Sequence, residues 1–252
     1  MKVAISQPTY LPWAGYFDLV DQVDVFVFLD DVQFEKRSWQ QRNRIKGPNG
    51  LILLTVPVMV KGRFEQTLAE AAISEPQEWQ KHRRAIETNY HRAPYFEQYW
   101  PEFCSVLEAG WNGANLSNLN MTLIRWFMQQ FNIDKRILQS SELPCTGRRS
   151  ELLVNICEHM HADHYISAIG SAEYLLEDEQ QFAAKRINVQ FQHYEHPKYE
   201  QLFPPFVPFA SAIDLLFNVG TRAMEVLRSG RRAPFSVAEV RHLRTEKIGV
   251  AL

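Results

Sequence analysis

Cysteine is the scarcest chemistry in this sequence. Cys104, Cys145 and Cys157 are odd in number and form no CxxC pair, so neither a disulfide framework nor a zinc ribbon is expected. A reducing, cytoplasmic setting is the expectation that follows. Long apolar runs are missing as well. The longest, LILLTVPVMV, is too short and too broken by proline to span a bilayer, and MKVAISQP enters a strand without an apolar signal core. Nor does one sign of charge dominate: a formal net charge of -2 provides no global field for a polyanion, so nucleic acid would need a local patch. The absence of GxSxG, a Walker loop, GxGxxG and HExxH weighs against a serine hydrolase, a P-loop ATPase, a classical dinucleotide dehydrogenase and a zincin.

Apolar and aromatic residues are plentiful, at 46% and 12% of 252 residues, which places the chain among globular proteins. VAIS and VDVFVFL are short runs rich in β-branched and aromatic residues. They flank a segment whose Phe17, Leu19, Val20 and Val23 share a helix face, a β-α-β spacing. Because VDVFVFL is apolar at nearly every position, it reads as a strand buried on both faces of a parallel sheet. ILLTVPV follows the turn signal GPNG as a third strand, and DDVQFEKRSWQQRNRIK before it reads as a polar loop. From about 76 to 131 the pattern is helical, with breaks at Ala93-Pro94 and Gly110 to Gly113 and with Asn115 and Ser117 as caps. Strand, helix and strand then alternate through RILQSSEL, SELLVNICEHM, HYISA and INVQFQHY, and SAIDLLFNVG is a further helix. The expectation is one α/β domain over residues 1–252, with a mostly parallel Rossmann-like sheet and an inserted helical subdomain.

Open sheets of this kind bind ligands outside the carboxyl ends of their strands. That rule selects the turn holding Gln7, Tyr10, Trp13, Gly15 and Tyr16, then Asp30 and Asp31, then Ser140 to Arg149, then Ser167 to Tyr174. Gly15 at a helix start lets backbone N–H groups approach an anion, and Trp13 and Tyr16 offer flat faces to a ring; the plain alternative is core packing around a Pro-bent loop. Asp30 and Asp31 suit a divalent cation or a general base, and equally a cap. Arg37, Arg42, Arg44 and Lys46, with Lys36 before them and Trp39 and Asn43 among them, form a candidate clamp for phosphate or carboxylate, against the alternative of a solvated basic loop. One indole is a poor platform for stacked bases, so nucleic acid is not the expected partner. CEHMHADH places Cys157 and His161 one helical turn apart, but Cys157 lies on the apolar face, so no metal site is assigned there. GRRS at a helix start is another candidate anion site. Ser211 and Asp214 fit a capping box, whereas His196, in a loop, is the best isolated acid or base, with Tyr199 close to it in sequence.

Taken together and in order, QPTYLPWAGYFDLV, DVFVFLDDVQF, RSWQQRNRIK, HYISAIGSAEYL, EHPKYEQ and SAIDLLFNVG resemble the WbqC-like family over nearly the whole chain. The resemblance implies a place in bacterial surface-polysaccharide (O-antigen) clusters and a glycine or aminoacyl transferase acting on an amino sugar. A fainter likeness relates the strand, proline and W-A-G-Y to the HxGH turn of nucleotidylyl transferases, with Trp13 and Tyr16 in place of the two histidines. In the resulting expectation Arg42, Arg44 and Lys46 grip phosphate or carboxylate. Asp30, Asp31 or His196 takes a proton or binds a cation, and residues 7 to 16 shape a ring pocket that shares a cavity with the arginines. ATP or a sugar nucleotide with Mg2+ is the candidate cofactor. An amino-sugar nucleotide with a glycine or acyl donor is the candidate substrate pair. The rivals are a metal-dependent glycosyl- or nucleotidyltransferase and a non-catalytic ligand-binding protein.

Overall fold

A computed structural model describes residues 1–249, with side chains as far as Thr245. In chain order the elements are β1 (Lys2–Ser6), α1 (Ala14–Asp21), β2 (Val25–Phe28), β3 (Arg42–Gly47), β4 (Gly50–Thr55), α2 (Trp79–Tyr90), α3 (Phe96–Asn112), α4 (Leu116–Gln130) and β5 (Arg136–Gln139). After these come α5 (Ser150–His159), β6 (His164–Ser167), α6 (Ala172–Glu177), α7 (Glu179–Ala184), β7 (Asn188–Phe191), α8 (Ala212–Val219), α9 (Ala223–Ser229), β8 (Phe235–Ser236) and α10 (Val237–Gly249).

Six strands form one sheet in the order β5-β2-β1-β6-β7-β8, parallel throughout except for β8. This is the Rossmann-like α/β arrangement expected. The alternation of the strands explains its layers. Val3, Ile5, Val25 and Val27 point to one face, where α5 to α7 and α10 cover them, while Ala4, Phe26 and Phe28 point to the other, where α1 to α4, α8 and α9 pack. Strands apolar on both faces can be buried only between two helical layers, and β2 is buried at all four of its residues. The strand order reverses between β1 and β6, so the loops after β1 and β6 diverge there.

Two sequence readings need correction. RNRIKG, read as loop, is strand β3, and it pairs antiparallel with β4 across the Pro48-Asn49 turn in a separate two-stranded sheet. Its charged residues hid the period of two, because Arg42, Arg44 and Lys46 share one face while Asn43 and Ile45 turn toward the core. The Gly110 to Gly113 break also lies differently. Gly110 is inside α3, and the chain turns at Gly113 and Ala114 before Asn115 caps α4 by accepting the N–H of Asn118 at 3.0 Å.

Candidate functional site

Parallel β1, β2, β5, β6 and β7 deliver their following loops to one edge of the sheet. There Asp30 and the start of the loop after β5 interlock. Ser141 donates to Asp30 through its N–H (3.0 Å) and its hydroxyl (2.8 Å), and the Asp30 N–H donates to Ser140 Oγ at 3.1 Å. The single Ser140 hydroxyl proton lies within reach of Asp30 and of Asp31. Asp30 is buried and acts as a strut between two loops. Gln7 accepts a hydrogen bond from Gln40 (2.9 Å), and Asn120 donates to the carbonyls of Pro8 (2.9 Å) and Gln40 (2.7 Å). Side-chain amides thus hold the loop after β1 against the basic segment. Ser167 and Ser171 share a 2.6 Å hydroxyl contact at the end of β6; Tyr165 donates to Ser167 at 3.2 Å, and Tyr174 stands nearby with its phenol pushed up by burial.

The hairpin of β3 and β4 places Arg42 and Arg44 on the face that also carries Leu51 and Leu53. With Trp39 they line a cavity of about 340 Å³. The Arg44 guanidinium lies 4.8 Å from the centre of the Trp39 ring. Neither arginine has a carboxylate partner among the described residues, and Arg42 Nε is buried without an acceptor. The other candidates of this segment do not line the cavity. Asn43 is buried and donates to the carbonyls of Tyr10 (3.1 Å) and Leu11 (2.8 Å), and buried Lys46 donates to the Gly47 carbonyl at 3.2 Å. Arg37 is exposed in a left-handed conformation with φ 60°, its N–H bonded to Gln41.

A second cluster gathers residues far apart in sequence. His196 lies nearly parallel to Trp13 (5.9 Å between ring centres) and to Tyr199 (6.2 Å), with Phe206 and Phe209 also packed against it. Its Nδ1 lies 3.0 Å from the Pro197 carbonyl, which can only accept, so the proton sits on Nδ1 and the lone pair on Nε2. That Nε2 is buried and without a partner, and burial pulls the imidazole below its ordinary pKa. Tyr199 donates to Asp214 (2.7 Å), a fully buried carboxyl that also receives Gln201 (2.8 Å) and Tyr90 (2.9 Å); burial holds it above the usual carboxylate range despite these donors. Ser211 caps α8, accepting the Ile213 N–H at 3.3 Å, but Asp214 does not complete a capping box because the Ser211 N–H donates to the Arg44 carbonyl at 2.8 Å. Tyr194, Phe206 and Phe209 escaped the sequence reading, and Asp214, read there as part of a cap, is instead the buried acceptor of Tyr90, Tyr199 and Gln201. The phenylalanine at every third position of FPPFVPF was the available signal.

The turn after β1 is built for packing. A Cβ on Gly15 would stand 2.2 Å from the Trp13 indole, so glycine is needed there because the indole folds over the helix start. Tyr10 and Tyr16 are buried, Tyr10 bonded to His82 at 2.7 Å and Tyr16 packed on Phe17 and Phe26. Tyr16 therefore presents nothing to a nucleotide, and the likeness to HxGH nucleotidylyl transferases gains no support. Nor does Trp13 line the cavity of the arginines; it adjoins them through a bridge to Ser211. In CEHMHADH, Cys157 is buried in the core with its thiol pushed up to about 12 by burial, and His159 and His161 are exposed. Among the described residues, no three His, Cys, Asp or Glu side chains converge to hold a metal ion.

The sequence profile of the WbqC-like protein family matches residues 7–226. A protein of Mycobacterium tuberculosis described as uncharacterized is 39% identical over 233 residues, covering 92% of this chain and 99% of that protein. No solved structure matches.

Proposed function

Because the chain belongs to the WbqC-like protein family, we propose that it is a transferase of bacterial surface-polysaccharide assembly that joins glycine or a related acyl group to the amine of a nucleotide-linked amino sugar. The observation that carries this reading is the pair Arg42 and Arg44, which have no carboxylate partner among the described residues and line a cavity together with Trp39, Leu51 and Leu53. Guanidinium forks match the paired oxygens of a diphosphate, and Trp39, Leu51 and Leu53 suit the apolar faces of a base or sugar. The volume falls at the small end of ligand sites, enough for part of a sugar nucleotide.

In the reaction the sugar amine attacks the activated acyl carbon, the new C–N bond forms as the bond to the leaving group breaks, and the amine proton leaves to a base. His196 is the base favoured here, since it is neutral and carries its free lone pair on Nε2. Phe206 and Phe209 pack against its ring and Nε2 is buried, so in this reading the amine reaches it only after local opening. Asp30 holds loops together rather than substrate. Acyl activation comes from a donor of one of three classes, an adenylate made with ATP and Mg2+, a charged tRNA or an acyl carrier.

The test is transfer of labelled glycine to a uridine-diphosphate amino sugar, tried with each donor class. Arg42→Ala and Arg44→Ala should each raise KM for the sugar nucleotide by roughly tenfold or more, since each removes charge-assisted hydrogen bonds. Release of nucleoside diphosphate without glycine transfer would replace this reading with a glycosyltransferase. Tight binding of the sugar nucleotide with no turnover under any donor would replace it with a non-catalytic binding protein of the assembly.

A further inference from the structure

Residues 36–64 contain seven cations, Lys36, Arg37, Arg42, Arg44, Lys46, Lys61 and Arg63, and not one carboxylate, in a chain whose net charge is -2. The same stretch holds five of the nine exposed large hydrophobic side chains among the described residues: Trp39, Ile52, Leu53, Met59 and Phe64. Phe64, at the tip of the turn Lys61-Gly62-Arg63-Phe64, is 77% exposed, an extreme value for an aromatic ring.

Several of these groups adjoin one another. The turn from Lys36 to Trp39 links them: at one end the Lys36 ammonium stands 5.9 Å from the Phe64 ring, and at the other Trp39 lies under Arg44. The strand-like segments behind the turn are paired, with the Phe34 N–H on the Gln66 carbonyl at 2.9 Å and Gln33 donating to the Phe64 carbonyl at 3.1 Å. Glu35 and Glu65 bracket the stretch, and Glu70 lines the hollow beside Phe64, where its carboxylate is engaged by the Thr67 N–H.

We propose that this face docks the protein on an anionic lipid bilayer, with Phe64 and the exposed edge of Trp39 entering the headgroup region and Lys36, Arg37, Lys61 and Arg63 meeting lipid phosphates. Its chemistry argues for that partner. Aromatic and aliphatic side chains set among cations fit a surface that is negative outside and apolar just beneath, whereas a second copy of the chain would bring like charges together. No helix of the described residues is long and apolar enough to cross a membrane, so the attachment is peripheral. The inference goes beyond the transferase reading and stands without it.

Purified protein would be sedimented with vesicles of phosphatidylglycerol mixed with phosphatidylcholine, and with vesicles of phosphatidylcholine alone. Binding should occur to the first only and should be reversed by high salt. The triple variant Lys61→Glu, Arg63→Glu, Phe64→Ser lies on an exposed turn outside the cavity of Arg42 and Arg44. It should weaken vesicle binding by about tenfold or more while leaving nucleotide binding unchanged. Equal sedimentation of wild type and triple variant would overturn the proposal. So would tighter binding to a single-stranded RNA oligonucleotide than to the vesicles, or self-association in solution that the same triple variant abolishes.

Discussion

At the scale of single residues, the sequence revealed chemistry more readily than direction. QQRN was legible as a polar, basic run, yet its amides serve the fold: Gln40 holds Gln7, Gln41 holds the Val56 carbonyl at 3.0 Å, and Asn43 holds the turn after β1. Of this run only Arg42, with Arg44 two residues on, turns to the cavity, and nothing in the spacing separates an amide that satisfies backbone from one that waits for a ligand. His82 passed unnoticed for the same reason. It is buried in α2, accepts from Tyr10 at Nδ1 and donates from Nε2 to the Thr55 carbonyl at 3.2 Å, and burial pulls it down to about 4. An unfolded histidine titrates near 6.5, so between about 6.5 and 4 the unfolded chain takes up the proton first. The stability His82 contributes is therefore complete above that window and is lost as pH falls through it, by up to ~3 kcal/mol. Urea unfolding across this range should show that slope, and His82→Gln, which keeps a donor and an acceptor, should flatten it. An unchanged slope in the variant would mean that other groups drive it.

Elements were read well where burial imposed a period and poorly where polar partners replaced it. The parallel strands announced themselves, β3 did not, and α9, β8 and α10 drew no reading at all. What fixes α1, whose N-cap is Trp13, is similarly long-range. The Arg231 Nε donates to Asp18 at 2.7 Å, its guanidinium also meets Asp21, and Arg228 on α9 donates to Asp21 at 3.0 and 2.9 Å. Burial raises Asp18 in spite of these donors, while for Asp21 the two arginines outweigh burial and hold it low. Arg231→Ala would leave the fully buried Asp18 carboxyl with only the Gln192 and Gln22 amides. It should cost roughly 3 kcal/mol in urea unfolding. Adding Asp18→Asn should restore part of that, because the penalty comes from the stranded charge; no recovery in the double variant would point to lost packing instead.

For the whole molecule, the carboxyl-edge rule gathers the loops after the parallel strands at one edge of the sheet, but it could not say that β3 and β4 form a separate hairpin that turns the basic segment outward. That hairpin carries most of the cavity lining and borders the apolar, cationic face around Phe64, and its register makes its independence measurable. The Val56 N–H bonds the Gln41 carbonyl, so in the antiparallel ladder Asn43 faces Leu54 and Ile45 faces Ile52 through hydrogen-bonded pairs. Leu51 and Leu53 then direct their N–H groups away from β3, where no acceptor stands among the described residues. Native-state hydrogen exchange should find β1 and β2, flanked by strands and covered on both faces, among the slowest amides, opening only with global unfolding. Within β4 the rates should alternate, with Leu51 and Leu53 exchanging fast and Ile52 and Leu54 protected. Anionic vesicles should slow exchange around Arg63 and Phe64 while leaving the protection of β1 and β2 unchanged. Protection of Leu51 and Leu53 in the free protein would show instead that another chain already occupies the outer edge of β4, and the hairpin would then be an assembly surface.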